Sequence, residues 1–156
     1  MTEKLSSIRD FLTTQGKGLS LLLTMLFGAL VPQAHAFSFL IQYLLMLMLF
    51  FAFLDIFPLR EGHVLVVPKT ETDKFFDLPD EYLSEMLLFA KPIAKAIERS
   101  FTCNRCGIEV VGLEVPHAHM HLIPINSAND LNFTKEKLKL TPDEMKKVQE
   151  TILSNL

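Results

Sequence analysis

Between residues 18 and 54 the chain carries no Lys, Arg, Asp or Glu. A globular pattern, in which short apolar segments are separated by polar turns, sets in only from Phe50 at the end of that block. Phe50–Ile56 has strand character, Pro58 to Gly62 reads as a turn, and His63–Val67 as a second buried strand, so the two form a predicted hairpin. Thr70–Asp77 is polar and loop-like. From Pro79 the period changes to that of a helix, with Asp80 and Glu81 at its positive end and Leu83, Met86, Leu87, Ala90, Ala94 and Ile97 on one face. Pro92 falls inside this pattern; a missing donor and a ring clash predict a kink costing about 3 kcal/mol if the geometry does not relax. The helix is expected to end before Cys103. Gly107–Glu114 alternates as a third strand and Val115–Pro124 as a fourth, followed by a polar loop over Asn126–Phe133 and a solvated basic stretch from Lys135 to Lys139. Thr141-Pro142-Asp143-Glu144 is a helix start with a capping box, and Met145, Val148, Ile152 and Leu153 give that last helix an apolar stripe. The fold class that results is α+β: an antiparallel β-sheet with one long helix across it and a C-terminal helix, plus an apolar N-terminal extension.

The extension divides the chain into residues 1–49 and a domain at 50–156. Leu19–Leu30, followed by Ala34-His35-Ala36, has the layout of a secretory signal. Phe37–Leu54 alone is just long enough for a transmembrane helix, yet Phe50–Ile56 is claimed by the first strand as well. Three readings stay open: a signal or anchor, with membrane contact through residues 18–54; an apolar extension packed on the domain; or a misplaced start or shifted frame upstream of about Phe50.

Charge and cysteine content narrow the function classes. A net charge of −3 and a pI near 5.9 leave no basic footprint for nucleic-acid binding. Cys103 and Cys106 form the Cys-x-x-Cys pair, but no second pair completes a zinc site, and the motif does not sit beside a βαβ unit as a redox pair would. Two reduced thiols suit a cytoplasmic protein, with membrane association or export through the apolar N-terminus as the alternative.

The chemistry concentrates in Val115-Pro116-His117-Ala118-His119-Met120-His121-Leu122-Ile123-Pro124, which holds three of the five histidines. On a strand His117, His119 and His121 share one face, and Ala118, Met120 and Leu122 the other. Zinc is one ligand for paired imidazoles, but the outer two rings stand roughly 13 Å apart along a straight strand, too far for one ion. A row of rings fits better along an extended anionic group. One imidazole attacks phosphorus while its neighbours hydrogen-bond oxygens and manage protons.

His-Ala-His-Met-His-Leu-Ile resembles the signature of the histidine-triad (HIT) family. Phe51-Ala52-Phe53-Leu54-Asp55-Ile56-Phe57-Pro58 and Gly62-His63-Val64-Leu65-Val66-Val67-Pro68-Lys69 resemble its two upstream segments. The likeness covers about residues 50–133 and none of the first fifty. It implies hydrolysis or nucleotidyl transfer at the α-phosphate of a nucleoside phosphoramidate or dinucleoside polyphosphate, through a nucleotidyl-histidine on His119. His117 and His121 would bind phosphate oxygens or protonate the leaving group, and His63 would support the triad. Asp55, Ile56 and Glu114 fall at nucleotide-binding positions, with Asp55 on the ribose. The resemblance further implies a purine nucleotide substrate, a homodimer built partly through the long helix and a sheet edge, and a mechanism without metal or other cofactor. The chain departs from the pattern at Leu113 and Glu114, where many members carry Gln or a hydroxyl residue, and in a shortened loop, Val110-Val111-Gly112. The competing classes are a nucleotide- or zinc-binding module without turnover, its metal held by two triad histidines and the cysteine pair, and a membrane-anchored protein.

Overall fold

Four short strands carry the domain: β1 (Phe50–Leu54), β2 (Val64–Pro68), β3 (Arg105–Glu109) and β4 (Met120–Ile125). They form one antiparallel sheet in the order β1-β2-β4-β3. The computed structural model describes residues 44–156; the signal-like part of the extension lies outside the described residues. Opposed residues of an antiparallel ladder project to the same side, so the register sorts the sheet into two faces. Leu54, Val64 and Leu122 form one row, and Ala52, Val66 and Met120 another, on the side that packs on a helix. Phe53, Leu65, His121 and Glu109 form a row on the opposite side.

The apolar side is covered by α1 (Asp80–Ser100), which buries Met86, Phe89, Ala90, Ile93, Ala96 and Ile97 at helical spacing. Phe50 meets Tyr82 edge-on at 5.8 Å between centroids and Phe89 at 5.6 Å. Val66, Met86, Met120 and Leu122 are at most 1% exposed, and each such side chain contributes about 1.5–3 kcal/mol of burial free energy. α1 runs unbroken through Pro92. The helical partner that Pro92 cannot supply belongs to the carbonyl of Leu88, a residue 48% exposed, where water can take its place. The last helix, α2 (Pro142–Leu153), starts as its sequence predicts: Thr141 N–H donates to Glu144 Oε2 (2.8 Å) and Glu144 N–H to Thr141 Oγ1 (3.3 Å). Val148 and Ile152 bury its inner face, and Ser100 Oγ donates to the carbonyl of Thr151, tying it to the end of α1.

Three sequence expectations are corrected. The third strand is Arg105–Glu109, not Gly107–Glu114: Val110 to Glu114 leave the sheet and are exposed, and Gly112 turns with φ +67°. The fourth strand begins at Met120, so His121 alone of the triad lies in a strand. The strand expected from Phe50 to Ile56 ends at Leu54, because Asp55 turns the chain. Residues 44–49, read as part of the extension, are helical. Met46 and Leu47 join the hydrophobic core, and Lys69 ties back to this segment through its N–H to Leu49 O (2.7 Å) and its Nζ to Leu47 O (2.8 Å). Among the described residues no helix is long and apolar enough to cross a membrane, and the end of the apolar run is sheet.

Candidate active site

The β1–β2 hairpin brings Asp55 and His63 together. Asp55 N–H donates to the His63 carbonyl (3.0 Å), closing the turn. Gly62 supplies the positive φ (+87°) that this turn demands. The Asp55 carboxylate accepts from Phe57 N–H through Oδ1 (2.9 Å), and its Oδ2 stands 3.7 Å from His63 Nδ1. Asp55 is thus a turn-forming residue whose second oxygen faces the histidines.

His63 is 1% exposed and His121 6%. Their rings satisfy each other: His63 Nε2 and His121 Nδ1 are 2.9 Å apart. The tautomers follow from the backbone. Leu59 N–H points at His63 Nδ1 (3.2 Å), and an amide can only donate, so Nδ1 is the acceptor and Nε2 carries the proton. That proton is donated to His121 Nδ1, which leaves His121 with its N–H at Nε2. Burial pushes both rings down to a pKa of about 3. For His63 the positive charge of Lys137 and the proximity of His119 add to the effect; for His121 repulsion from His63 and His119 adds to it, against an opposing pull from Asp55. Both rings are neutral near pH 7.

His117 and His119 precede the strand yet keep its alternation. Ala118 is 2% exposed and fixed by its N–H to the Thr72 carbonyl (2.7 Å), so the rings on either side of it point to the other face. Both are half-buried. His117 Nε2 donates to the carbonyl of Pro68 at the end of β2 (2.9 Å). His119 Nδ1 donates to the carbonyl of His117 (2.6 Å). Carbonyls only accept, so His119 carries its proton on Nδ1 and keeps a lone pair on Nε2. The His119 and His121 rings meet edge-on at 4.8 Å. A ring nitrogen with a free lone pair therefore stands beside a neutral ring that carries its N–H on the far nitrogen, a pairing suited to attack on a phosphoryl centre.

Two neighbours of the site escaped the sequence reading. Phe133 packs edge-on against His121 at 4.8 Å and His63 at 6.4 Å, and Lys137 Nζ lies 4.6 Å from the Phe133 ring centre. The segment that carries them is pinned across the hairpin by Leu138 N–H to Pro58 O (2.8 Å) and by Arg60 to Asp130 (3.1 Å). An aromatic residue alone in a polar loop was the available signal. Of the expected nucleotide contacts, Ile56 is 42% exposed beside Asp55, and Glu114 lies in the exposed loop ahead of the triad.

Asp55, His63 and His121 offer three ligand atoms within 4.8 Å of one another. A cation there would have to displace both the His63–His121 bond and the Leu59 N–H. The alternative zinc site, with the cysteines joined to the triad, is excluded by the register. Cys106 opposes Pro124 whereas His121 opposes Glu109, three positions on, or about 10 Å along β3 and on the other face of the sheet. Burial and Glu98 push the Cys106 thiol up to about 12, so it is protonated near pH 7.

A family model described as the HIT domain matches residues 42–128. Adenosine 5'-monophosphoramidase HNT1 of Saccharomyces cerevisiae is 41% identical over 75 residues, 47% of this chain and 48% of its own length. Bis(5'-nucleosyl)-tetraphosphatase (asymmetrical) of Schizosaccharomyces pombe is 30% identical over 93 residues, 54% of this chain and 51% of its own. The chain thus spans about half the length of these two relatives. Among solved structures, a Hit-like protein involved in cell-cycle regulation from Bartonella henselae superposes with a TM-score of 0.58 at 24% identity, covering 69% of this chain and 81% of that one. That likeness is one of fold.

Proposed function

This chain belongs to the HIT domain family, and from that premise we propose that it is a nucleotide hydrolase acting at the α-phosphate of nucleoside phosphoramidates or dinucleoside polyphosphates. The observation that carries the reading is the hydrogen bond from His119 Nδ1 to the His117 carbonyl. It leaves Nε2 as the nucleophile, and it offers a fixed dipole to the positive charge that the ring acquires when Nε2 bonds to phosphorus. As that N–P bond forms, the bond from phosphorus to the leaving nitrogen or oxygen breaks, its electron pair going to the leaving group, which takes a proton from solvent water. Water then attacks the nucleotidyl-histidine, releasing the nucleoside monophosphate and restoring neutral His119.

His121 cannot be the acid in this scheme. Held neutral and bonded through Nδ1 to His63, it acts as a hydrogen-bond donor from Nε2 to a phosphate oxygen. His63 orients it, and His117, tied to Pro68, fixes the carbonyl that orients His119. Asp55 and Ile56 border the nucleoside end. The relatives named for phosphoramidase and dinucleoside tetraphosphatase activities support both substrate classes. The test is incubation with adenosine 5'-phosphoramidate and with diadenosine tetraphosphate. Wild type should release AMP and, on rapid quench, carry a nucleotide on His119; His119→Ala should do neither. AMP release by the variant at the wild-type rate would end the proposal.

We also propose pairing with a second copy. Leu87 (52% exposed) and Leu88 on α1, with Ile108 (49%) on the edge strand β3 and Leu113 (88%) just beyond it, are apolar side chains left in water by a single chain. Light scattering at micromolar concentration should give twice the chain mass.

A further inference from the structure

We propose that Lys137 is an anion-holding residue of this site, supplying the positive charge for a phosphate group seated against His121; the proposal rests on the nucleotide reading above. The triad rows themselves hold no permanent cation. His63 and His121 are buried, neutral and committed to one another, so a phosphate placed there meets N–H dipoles alone. Phosphate carries one to two negative charges, and a neutral donor answers them less strongly than a charged one.

Lys137 is placed to fill that need. Its ammonium lies over the Phe133 ring at 4.6 Å, and the same ring packs against His121 at 4.8 Å. One N–H is spent on the Phe133 carbonyl (2.8 Å), which leaves two of the three donors of an ammonium. The side chain is half-buried, and among the described residues no carboxylate pairs with it. The ammonium is thus folded down onto a ring beside the histidines and part-way out of water, with no carboxylate partner among the described residues. A bound anion completes the arrangement. The carrier segment is also held in place, by Leu138 N–H to Pro58 O and by Arg60 to Asp130, so the ammonium is positioned before ligand arrives.

The test compares AMP with adenosine as ligands, by calorimetry on the full chain, for wild type, Lys137→Met and Lys137→Arg. The methionine keeps the apolar stem on Phe133 and removes only charge. We expect Lys137→Met to weaken AMP about tenfold or more, to leave adenosine within twofold, and Lys137→Arg to recover most of the AMP affinity. Equal weakening of AMP and adenosine would mean that the segment has merely lost its packing, and unchanged AMP affinity would mean that the cation serves no anion; either result overturns the proposal. Because binding is read without turnover, a chain that binds AMP through Lys137 yet hydrolyses nothing would sink the enzymatic reading and leave this one standing. A wild type that binds neither ligand would overturn both.

Discussion

Acid should unfold this domain early, and the two buried imidazoles set where. His63 and His121 each have a folded pKa near 3 against an ordinary value of 6.5. A histidine whose pKa is depressed on folding takes up its proton more readily in the unfolded chain. Its contribution is therefore complete above pH 6.5 and is lost as pH falls from there toward 3. Between pH 7 and pH 5 the linkage amounts to about 2 kcal/mol per ring, or about 4 kcal/mol for the pair. This is a large share of the 5–15 kcal/mol by which domains are ordinarily stable. Carboxylates do not confuse the window. Those with lowered values here, Asp130, Glu144 and Glu98, begin from ordinary values of 3.8 to 4.5 and act further down the scale. Urea unfolding followed by circular dichroism at pH 7.0, 6.0, 5.5 and 5.0 reads the slope directly. His63→Gln keeps an N–H for His121 Nδ1 and removes one titrating ring, so it should roughly halve the loss. A wild-type change under about 1 kcal/mol across those two units, or an unaltered slope in the variant, would refute the claim that both rings are held neutral by burial.

Other outcomes follow from single contacts. His119→Ala should lower AMP release from adenosine 5'-phosphoramidate by about a thousandfold or more, measured by chromatography, while its urea midpoint stays near wild type because the ring is half-buried and bonds only to the adjacent backbone. Gly62→Ala should cost about 2 kcal/mol or more in urea unfolding, since the φ of +87° strains any side chain and the added methyl would run into the Phe101 ring. Thr141→Ala should cost about 1 kcal/mol by the same assay, through loss of the reciprocal cap with Glu144. With a thiol reagent at pH 8, Cys103 should react well ahead of Cys106, whose pKa burial has raised to about 12.

The parts of the fold legible in the sequence are those where one local rule decides. Thr141-Pro142-Asp143-Glu144 could be read as a cap because capping is a contact between residues three apart. α1 could be read from its apolar spacing, and Pro92 did not break it, because packing of Met86, Phe89, Ile93 and Ile97 on the sheet outweighs one missing bond. Strand limits were less legible, since a strand lasts only while it has a neighbour. Val110 and Val111 alternate well enough, but β4 begins at Met120, and beyond the Glu109–His121 pair no ladder remains for them to join. The helical turn over residues 44–49 was not legible for the same reason: the tie from Lys69 to Leu47 and Leu49 joins residues some twenty positions apart.

The site shows the same division, with a turn. The triad was expected to face one way because it lay on a strand; it does face one way, although His117 and His119 precede the strand. Alternation survives off the ladder because one buried apolar residue with a bonded amide is enough to fix it. Ala118 sits in the core with its N–H on Thr72 O, and an extended chain that buries one side chain must turn its two neighbours outward. What no pattern of residue types could reveal is which nitrogen carries each proton. That is decided by three groups without side-chain identity at all: the Leu59 amide, the Pro68 carbonyl and the His117 carbonyl. Exchange of any triad histidine alters the list of reactive groups, but displacement of one of those backbone groups would alter which lone pair faces phosphorus while leaving the list intact. The chemistry of this row is therefore written in backbone geometry, and the imidazoles carry it out.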